Sequence, residues 1–119
     1  MKKTLVLGAS TNPSRYSYIA TNRLKEAEHE VVPVGIKKGS IAGIEIRNDE
    51  SIVEDIDTIT LYINPKRQEA YYDYILDTRP KRIIFNPGTE NPVLAAMARK
   101  QGIEVSVACT LVLLSTDQY

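Results

Sequence analysis

An α/β fold with a parallel, doubly wound sheet and helices on both faces is what this sequence predicts, and three observations predict it. Short apolar runs alternate with segments of helical periodicity along the chain. The first run, Thr4-Leu5-Val6-Leu7, closes on Gly8 and leads through small and capping residues into a helix. Two later runs end on Asn-Pro, at Asn64-Pro65 and at Asn86-Pro87-Gly88. Strands that alternate with helices need crossover connections, which make the strands parallel and cover both faces of the sheet.

Each element has its own signal. Thr4-Leu5-Val6-Leu7 reads as a buried strand, followed by the turn Ala9-Ser10-Thr11-Asn12-Pro13. A helix is expected from about Ser14 to Ala27, with Tyr16, Ala20, Leu24 and Ala27 facing the sheet. Val31-Val32-Pro33-Val34 is the second strand, and its proline marks an edge or an irregularity. Gly35 to Gly43 is a glycine-rich loop; Ile44-Glu45-Ile46 suits a short extended piece, and Asp49 to Glu54 one helical turn. Thr58 to Ile63 is the third strand. A helix from about Lys66 to Asp77 follows, with Ala70, Tyr71, Tyr74 and Ile75 on one face. Lys81 to Phe85 is the fourth strand. Asn91 as N-cap and Pro92 at the first helical position start a further helix, which Gly102 stops. Ile103 to Val107 is the fifth strand, and the apolar tail Cys109 to Leu114 suits a short helix covering the sheet. Right-handed crossovers leave few topologies for five such strands. The expected order is 3-2-1-4-5, a Rossmann-like sheet with its switch point between strands one and four.

Composition narrows the function. At 119 residues the chain fits one domain, spanning 1–119, that buries a core without a metal or disulfide. Lysine plus arginine and aspartate plus glutamate both number 15, so the formal net charge is zero. That balance argues against nucleic acid or anionic lipid as a partner. One cysteine, Cys109, allows neither an internal disulfide nor a cysteine-based zinc site, and no metal site is expected. The apolar run at the N-terminus is too short for a secretory signal and no stretch is long enough to span a bilayer, so a cytoplasmic location is expected by default. The oligomeric state is left open.

Three features carry chemistry. The turn from Gly8 to Pro13 brings a glycine, exposed amides and the side chains of Ser10, Thr11 and Asn12 to a helix N-terminus, where an anion is attracted. Only the first glycine of the G-x-G-x-x-G fingerprint is there, and the same residues also suit a plain capped turn. After strand two, Val34-Gly35-Ile36-Lys37-Lys38 offers two lysines where an NAD enzyme places an acid. A phosphorylated ribose suits them, as in coenzyme A or NADP; a solvated basic loop is the alternative. Asn64-Pro65 and Asn86-Pro87 fall at the carboxyl edge of the sheet, where ligands bind in this architecture, though turn chemistry alone also explains such pairs.

Catalytic candidates are few. His29, the sole histidine, precedes strand two on the opposite edge and reads as an exposed turn residue. No second histidine is present to complete a nucleophilic triad, and no carboxylate pair falls at the carboxyl edge. Cys109 follows strand five and reads as a buried small hydrophobe, with a redox role as the alternative.

In the order and spacing of its segments the chain resembles the small stand-alone CoA-binding domain proteins, which are similar to the CoA-binding domain of the succinyl-CoA synthetase alpha subunit. The segments that carry the resemblance are Val6 to Pro13, Ser14-Arg15-Tyr16-Ser17-Tyr18, Val31 to Val34, Ala42-Gly43-Ile44 and Cys109. The resemblance implies a Rossmann-like fold with CoA over the first turn. By position, Gly8, Ala9, Ser10 and Asn12 would cradle the pyrophosphate in a turn closed by Pro13. Val34 would flank the adenine, and Lys37 or Lys38 would meet the ribose phosphate. Ile63, Asn64 and Pro65 would line the adenosine side, with Asn86 nearer the pantetheine. The chain departs from the family where many small members read Pro-Val-Asn-Pro and it reads Pro33-Val34-Gly35-Ile36. The synthetase's phosphohistidine belongs to a domain that this sequence does not contain, so ligase chemistry is not implied.

The expectation is a CoA or acyl-CoA binding protein without evident catalytic machinery. An NADP-binding oxidoreductase or sensor, and a partner-binding module that has lost its ligand, are the alternatives. The lysine pair favours CoA or NADP over NAD, and the lack of a second, substrate-binding domain disfavours a dehydrogenase.

Overall fold

Strand β1 (Thr4–Leu7) is buried at all four positions, as is β5 (Thr58–Leu61), the pattern of strands covered on both faces. The computed structural model describes residues 1–119. Between these strands lie α1 (Tyr16–Glu26), β2 (Val31–Val34) and a small antiparallel hairpin of β3 (Ser40–Ile41) and β4 (Ile44–Glu45). After β5 come α2 (Pro65–Gln68), a 3-10 turn (Glu69–Tyr71), α3 (Tyr72–Thr78), β6 (Arg82–Phe85), α4 (Pro92–Lys100), β7 (Glu104–Val107) and α5 (Thr110–Ser115). The main sheet has five parallel strands in the order β2-β1-β5-β6-β7. Leu7 pairs in register with Val34 and Leu61, and Phe85 with Leu61 and Val107, so the carboxyl ends share one edge.

The core has two parts, one per face. Leu5, Leu7, Ile59, Leu61, Ile83 and Phe85 meet Tyr74 and Ile75 of α3 and Leu94, Ala95 and Ala98 of α4. Val6 and Val31 meet Leu24 of α1 and Ile41 and Ile46 of the hairpin region, with Leu114 and Tyr119 packed alongside. The α/β class, the parallel sheet and helices on both faces are therefore as the sequence predicts. No helix is long and apolar enough to cross a membrane.

The strand order corrects the expectation. Among the long strands the order is 2-1-3-4-5, because the third, β5, pairs with β1 and not with the far side of β2. Pro33 explains this. Its carbonyl faces the outer edge of β2 and accepts the Arg47 N–H at 2.9 Å, while the Gly35 N–H donates to the Arg47 carbonyl at 3.0 Å. Proline brings no N–H to that edge, and the segment at Arg47 closes it with a single bridge to Val34. The chain must then cross back over β1 to continue the sheet. The switch point accordingly lies between β1 and β5, and a ligand-binding crevice is expected there in this topology.

Local differences have local causes. Helix α1 starts at Tyr16 because Asn12 first folds a turn, its Oδ1 accepting from the Ser14 N–H at 3.0 Å and the Ser14 hydroxyl at 2.8 Å. Ala20 and Leu24 face the sheet as expected; Tyr16 and Ala27 do not, and Ser17 and Thr21 take their place. The segment from Asp49 to Glu54 is not helical. The helix after β5 is broken by its 3-10 turn, so Tyr74 and Ile75 are buried while Ala70 is exposed and Tyr71 half-buried. Helix α4 follows its signals: Asn91 Oδ1 accepts from the Val93 and Leu94 amides at 3.1 and 3.2 Å, with Pro92 first in the helix. His29 sits on the opposite edge from the carboxyl ends, but half-buried, its Nδ1 accepting the Lys2 N–H at 2.9 Å.

Candidate functional site

The β1–β5 crevice opens at the carboxyl edge as a cleft of about 480 Å³, within the usual range of small-molecule sites. Its floor is the turn after β1 and the end of β5. Gly8 has φ of 100°, and a Cβ there would lie 2.9 Å from Ile63 Cγ2 and 3.0 Å from the Tyr62 carbonyl group. The glycine thus brings the first turn hard against Tyr62 and Ile63. The Gly8 and Ala9 amides both donate to the Val34 carbonyl at 2.9 Å, so they hold β1 to β2 and are not free for an anion. The next amides are free. Those of Ser10, Thr11, Tyr16 and Ser17 donate to no protein acceptor, and the last two belong to the N-terminus of α1. All six of these residues line the cleft, whereas Asn12 and Pro13 shape the turn from behind.

The loop after β2 forms the second wall. A Cβ on Gly35 would lie 2.4 Å from the Ala9 carbonyl oxygen, and one on Gly39 would lie 2.4 Å from Thr11 Cγ2. The loop therefore runs directly along the Ala9–Thr11 turn. The Asn48 side-chain amide fixes it by donating to the Gly35 and Lys37 carbonyls, each at 3.0 Å. Lys37 lines the cleft and Lys38 does not. Val34 is buried behind the loop, so Ile36 takes the exposed position there.

The third wall comes from β5, α2 and the β6 loop. Ile63 and Asn64 line the cleft; Pro65, the first residue of α2, lies outside the lining. Asn64 Oδ1 caps α2 by accepting the Arg67 N–H at 2.9 Å, which sets Arg67 on the rim. Gln68 ties α2 to the far wall, its Nε2 donating to the carbonyls of Ile63 and Thr89 at 2.9 and 2.8 Å. Asn86 is buried and does not reach the cleft. Its Nδ2 donates to Thr60 Oγ1 at 2.7 Å and the Leu61 carbonyl at 2.8 Å, and its Oδ1 accepts the Thr110 N–H at 2.9 Å. With these bonds it is a joint between β5, β6 and α5. Pro87, Gly88 and Thr89 provide the wall instead.

Sequence reasoning missed Arg15, Tyr16, Tyr62, Arg67 and Tyr71, all of which line the cleft. Arg15 and Arg67 carry a signal in the sequence: each lies two residues past an Asn-Pro pair, Asn12-Pro13 and Asn64-Pro65. Neither arginine nor Lys37 takes part in the molecule's two ion pairs, Lys3–Glu30 and Arg47–Asp49. No carboxylate, histidine or thiol lines the cleft, and the Glu90 carboxylate beside it accepts the N–H of the lining residue Gly88 at 2.8 Å. Burial pushes the Tyr62 phenol up to about 12, which keeps it neutral. Thr60 and Thr110 offset part of that shift, but they bond each other at 2.8 Å and leave the Tyr62 oxygen without a partner of good geometry. Cys109 is half-buried, precedes α5 and stands outside the lining.

A five-stranded parallel sheet with a cationic, amide-rich cleft at its switch point defines a Rossmann-like α/β domain. The chain belongs to the CoA binding domain family, whose model matches residues 2–115. It is similar to an uncharacterized protein of known crystal structure, with 51% identity, TM-score 0.98, and coverage of 100% of this chain and 98% of that one. A hypothetical protein from Pyrococcus horikoshii is 26% identical, with TM-score 0.86 over 97% of this chain and 82% of its own. The fold also matches part of aspartate semialdehyde dehydrogenase II from Vibrio cholerae, at 11% identity and TM-score 0.53, over 89% of this chain and 38% of that one. A search of curated proteins found no match.

Proposed function

We propose that this protein binds coenzyme A, free or as an acyl thioester, in the β1–β5 cleft. The observation that carries the reading is the convergence of Arg15, Lys37 and Arg67 with four unpaired amides in a cleft that holds no carboxylate. Such a site favours a polyanion, and CoA carries a diphosphate and a ribose 3′-phosphate. Membership of the CoA binding domain family supplies the ligand class. The Ser10, Thr11, Tyr16 and Ser17 amides and Arg15 would hold the diphosphate. Lys37 would meet the 3′-phosphate, and Arg67 and Asn64 stand where the arm crosses β5 towards Gly88 and Thr89. Gly8 and Ala9 shape this site and Val34 supports it from beneath. The lining has no group that exchanges a proton readily near neutral pH, which supports binding over catalysis.

NADP also carries a phosphate that would suit Lys37, so the test includes it. Calorimetric titration at moderate salt should rank CoA above dephospho-CoA and NADP, with NAD weakest. Equal affinity for CoA and NAD would overturn the reading, and tightest binding of NADP would replace it with a nicotinamide-nucleotide one.

A further inference from the structure

We infer that Tyr16 is the stacking platform for the ligand's nucleobase, with Ile36 closing the other side. This rests on the CoA reading. Seven large apolar side chains stand exposed on this molecule, and two of them, Tyr16 at 70% and Ile36 at 67%, belong to the cleft. They flank one short piece of chain. Tyr16 is the first residue of α1, directly after the turn that begins with Ala9 to Thr11. Ile36 lies on the loop that Gly35 and Gly39 press against that same turn. Lys37, the cation for the ribose phosphate, is the next residue after Ile36, so the base attached to that ribose belongs at this end.

Val34, which the family resemblance places beside the adenine, is only 3% exposed and offers no surface to a ring. An aromatic face and a branched aliphatic chain in water are what a flat heterocycle covers. Some of the acceptors nearby are already engaged. The Gly35 and Lys37 carbonyls hold the Asn48 amide, and Ser10 Oγ accepts the Asn12 N–H at 3.1 Å. The surfaces that the base end offers most openly are therefore the stacking ones. Tyr16 carries the larger share, since stacking a base on an aromatic ring is worth roughly tenfold or more in affinity.

The chain contains no tryptophan, so Tyr16→Trp would install a single reporter at the platform. Its emission should be quenched by CoA and by adenosine 3′,5′-bisphosphate, and not by inorganic pyrophosphate, which carries no base. Calorimetry on Tyr16→Ala should show CoA and adenosine 3′,5′-bisphosphate weakened by the same factor, about tenfold. Tyr16→Phe should keep wild-type affinity, and the thermal midpoint of both variants should barely move because the ring is exposed. If the wild type binds CoA but Tyr16→Ala loses nothing, or if pyrophosphate quenches as CoA does, the stacking role is wrong and the CoA reading stands. If the wild type binds neither CoA nor adenosine 3′,5′-bisphosphate, both fall together.

Discussion

Lys37 and Lys38 are neighbours in sequence with different surroundings, and on the proposed function that difference separates their roles. Lys37 lines the cleft on a backbone pinned by Asn48, while Lys38 stands outside the lining. Lys37→Ala should weaken CoA about tenfold and leave dephospho-CoA almost unchanged, the loss expected for one charge-assisted contact. Lys38→Ala should change neither, and the two ligands titrated against both variants check it. Gly8 shows the other kind of residue-level constraint. A side chain there meets Tyr62 and Ile63 at 2.9–3.0 Å and must adopt φ of 100°. Gly8→Val should therefore lower stability by at least about 2 kcal/mol, read as a drop in the thermal midpoint. The sequence marks Gly8 as special through its place after a strand. It does not reveal that the space a Cβ would fill belongs to β5, because that depends on which strand lies beside β1.

Among the elements, the polar joint at Asn86 holds β5, β6 and α5 together. Asn86→Ala would remove three bonds and strand the Thr110 N–H and the Leu61 carbonyl in the core. Leaving such groups unsatisfied costs on the order of 3 kcal/mol in all. Urea unfolding should show a lower midpoint with an unchanged slope, and CoA affinity measured where the variant is folded should be nearly that of wild type. Loss of CoA binding without loss of stability would instead place Asn86 at the ligand. Four Asn-Pro pairs look alike in sequence: Asn12-Pro13, Asn64-Pro65, Asn86-Pro87 and Asn91-Pro92. Two are helix caps, and the Asn91 cap was legible because a clear helical period follows it. The Asn86 side chain turns inward because Thr60 and Thr110 offer partners from distant parts of the chain, which no local pattern shows.

At the scale of the molecule, the alternation of strands and helices was legible, and the order of the strands was not, although Pro33 already marked β2 as an edge. The edge opposite the cleft was also hidden, since it joins the two ends of the chain. There Tyr119 puts its hydroxyl 2.5 Å from Thr4 Oγ1, with the Arg82 guanidinium 4.6 Å from the ring centroid and the His29 ring 4.9 Å away, edge-on. His29 accepts a hydrogen bond from the Lys2 N–H at 2.9 Å, which requires a neutral Nδ1. Partial burial holds its pKa below the ordinary 6.5, helped by the positive charges of the N-terminal amine and Lys2 and opposed by Asp57. A histidine that protonates less readily when folded favours the folded state only while it is neutral. Its contribution is therefore complete above pH 6.5 and is lost as the pH falls through the lower, folded-state value. The thermal midpoint of the wild type should decline between pH 7.5 and 5. In His29→Asn, whose side-chain oxygen can still accept the Lys2 N–H, the decline should be shallower. CoA affinity at pH 7.5 should be the same in both, because this edge lies across the sheet from the cleft. Parallel melting curves for the two proteins would show that His29 does not carry the acid sensitivity.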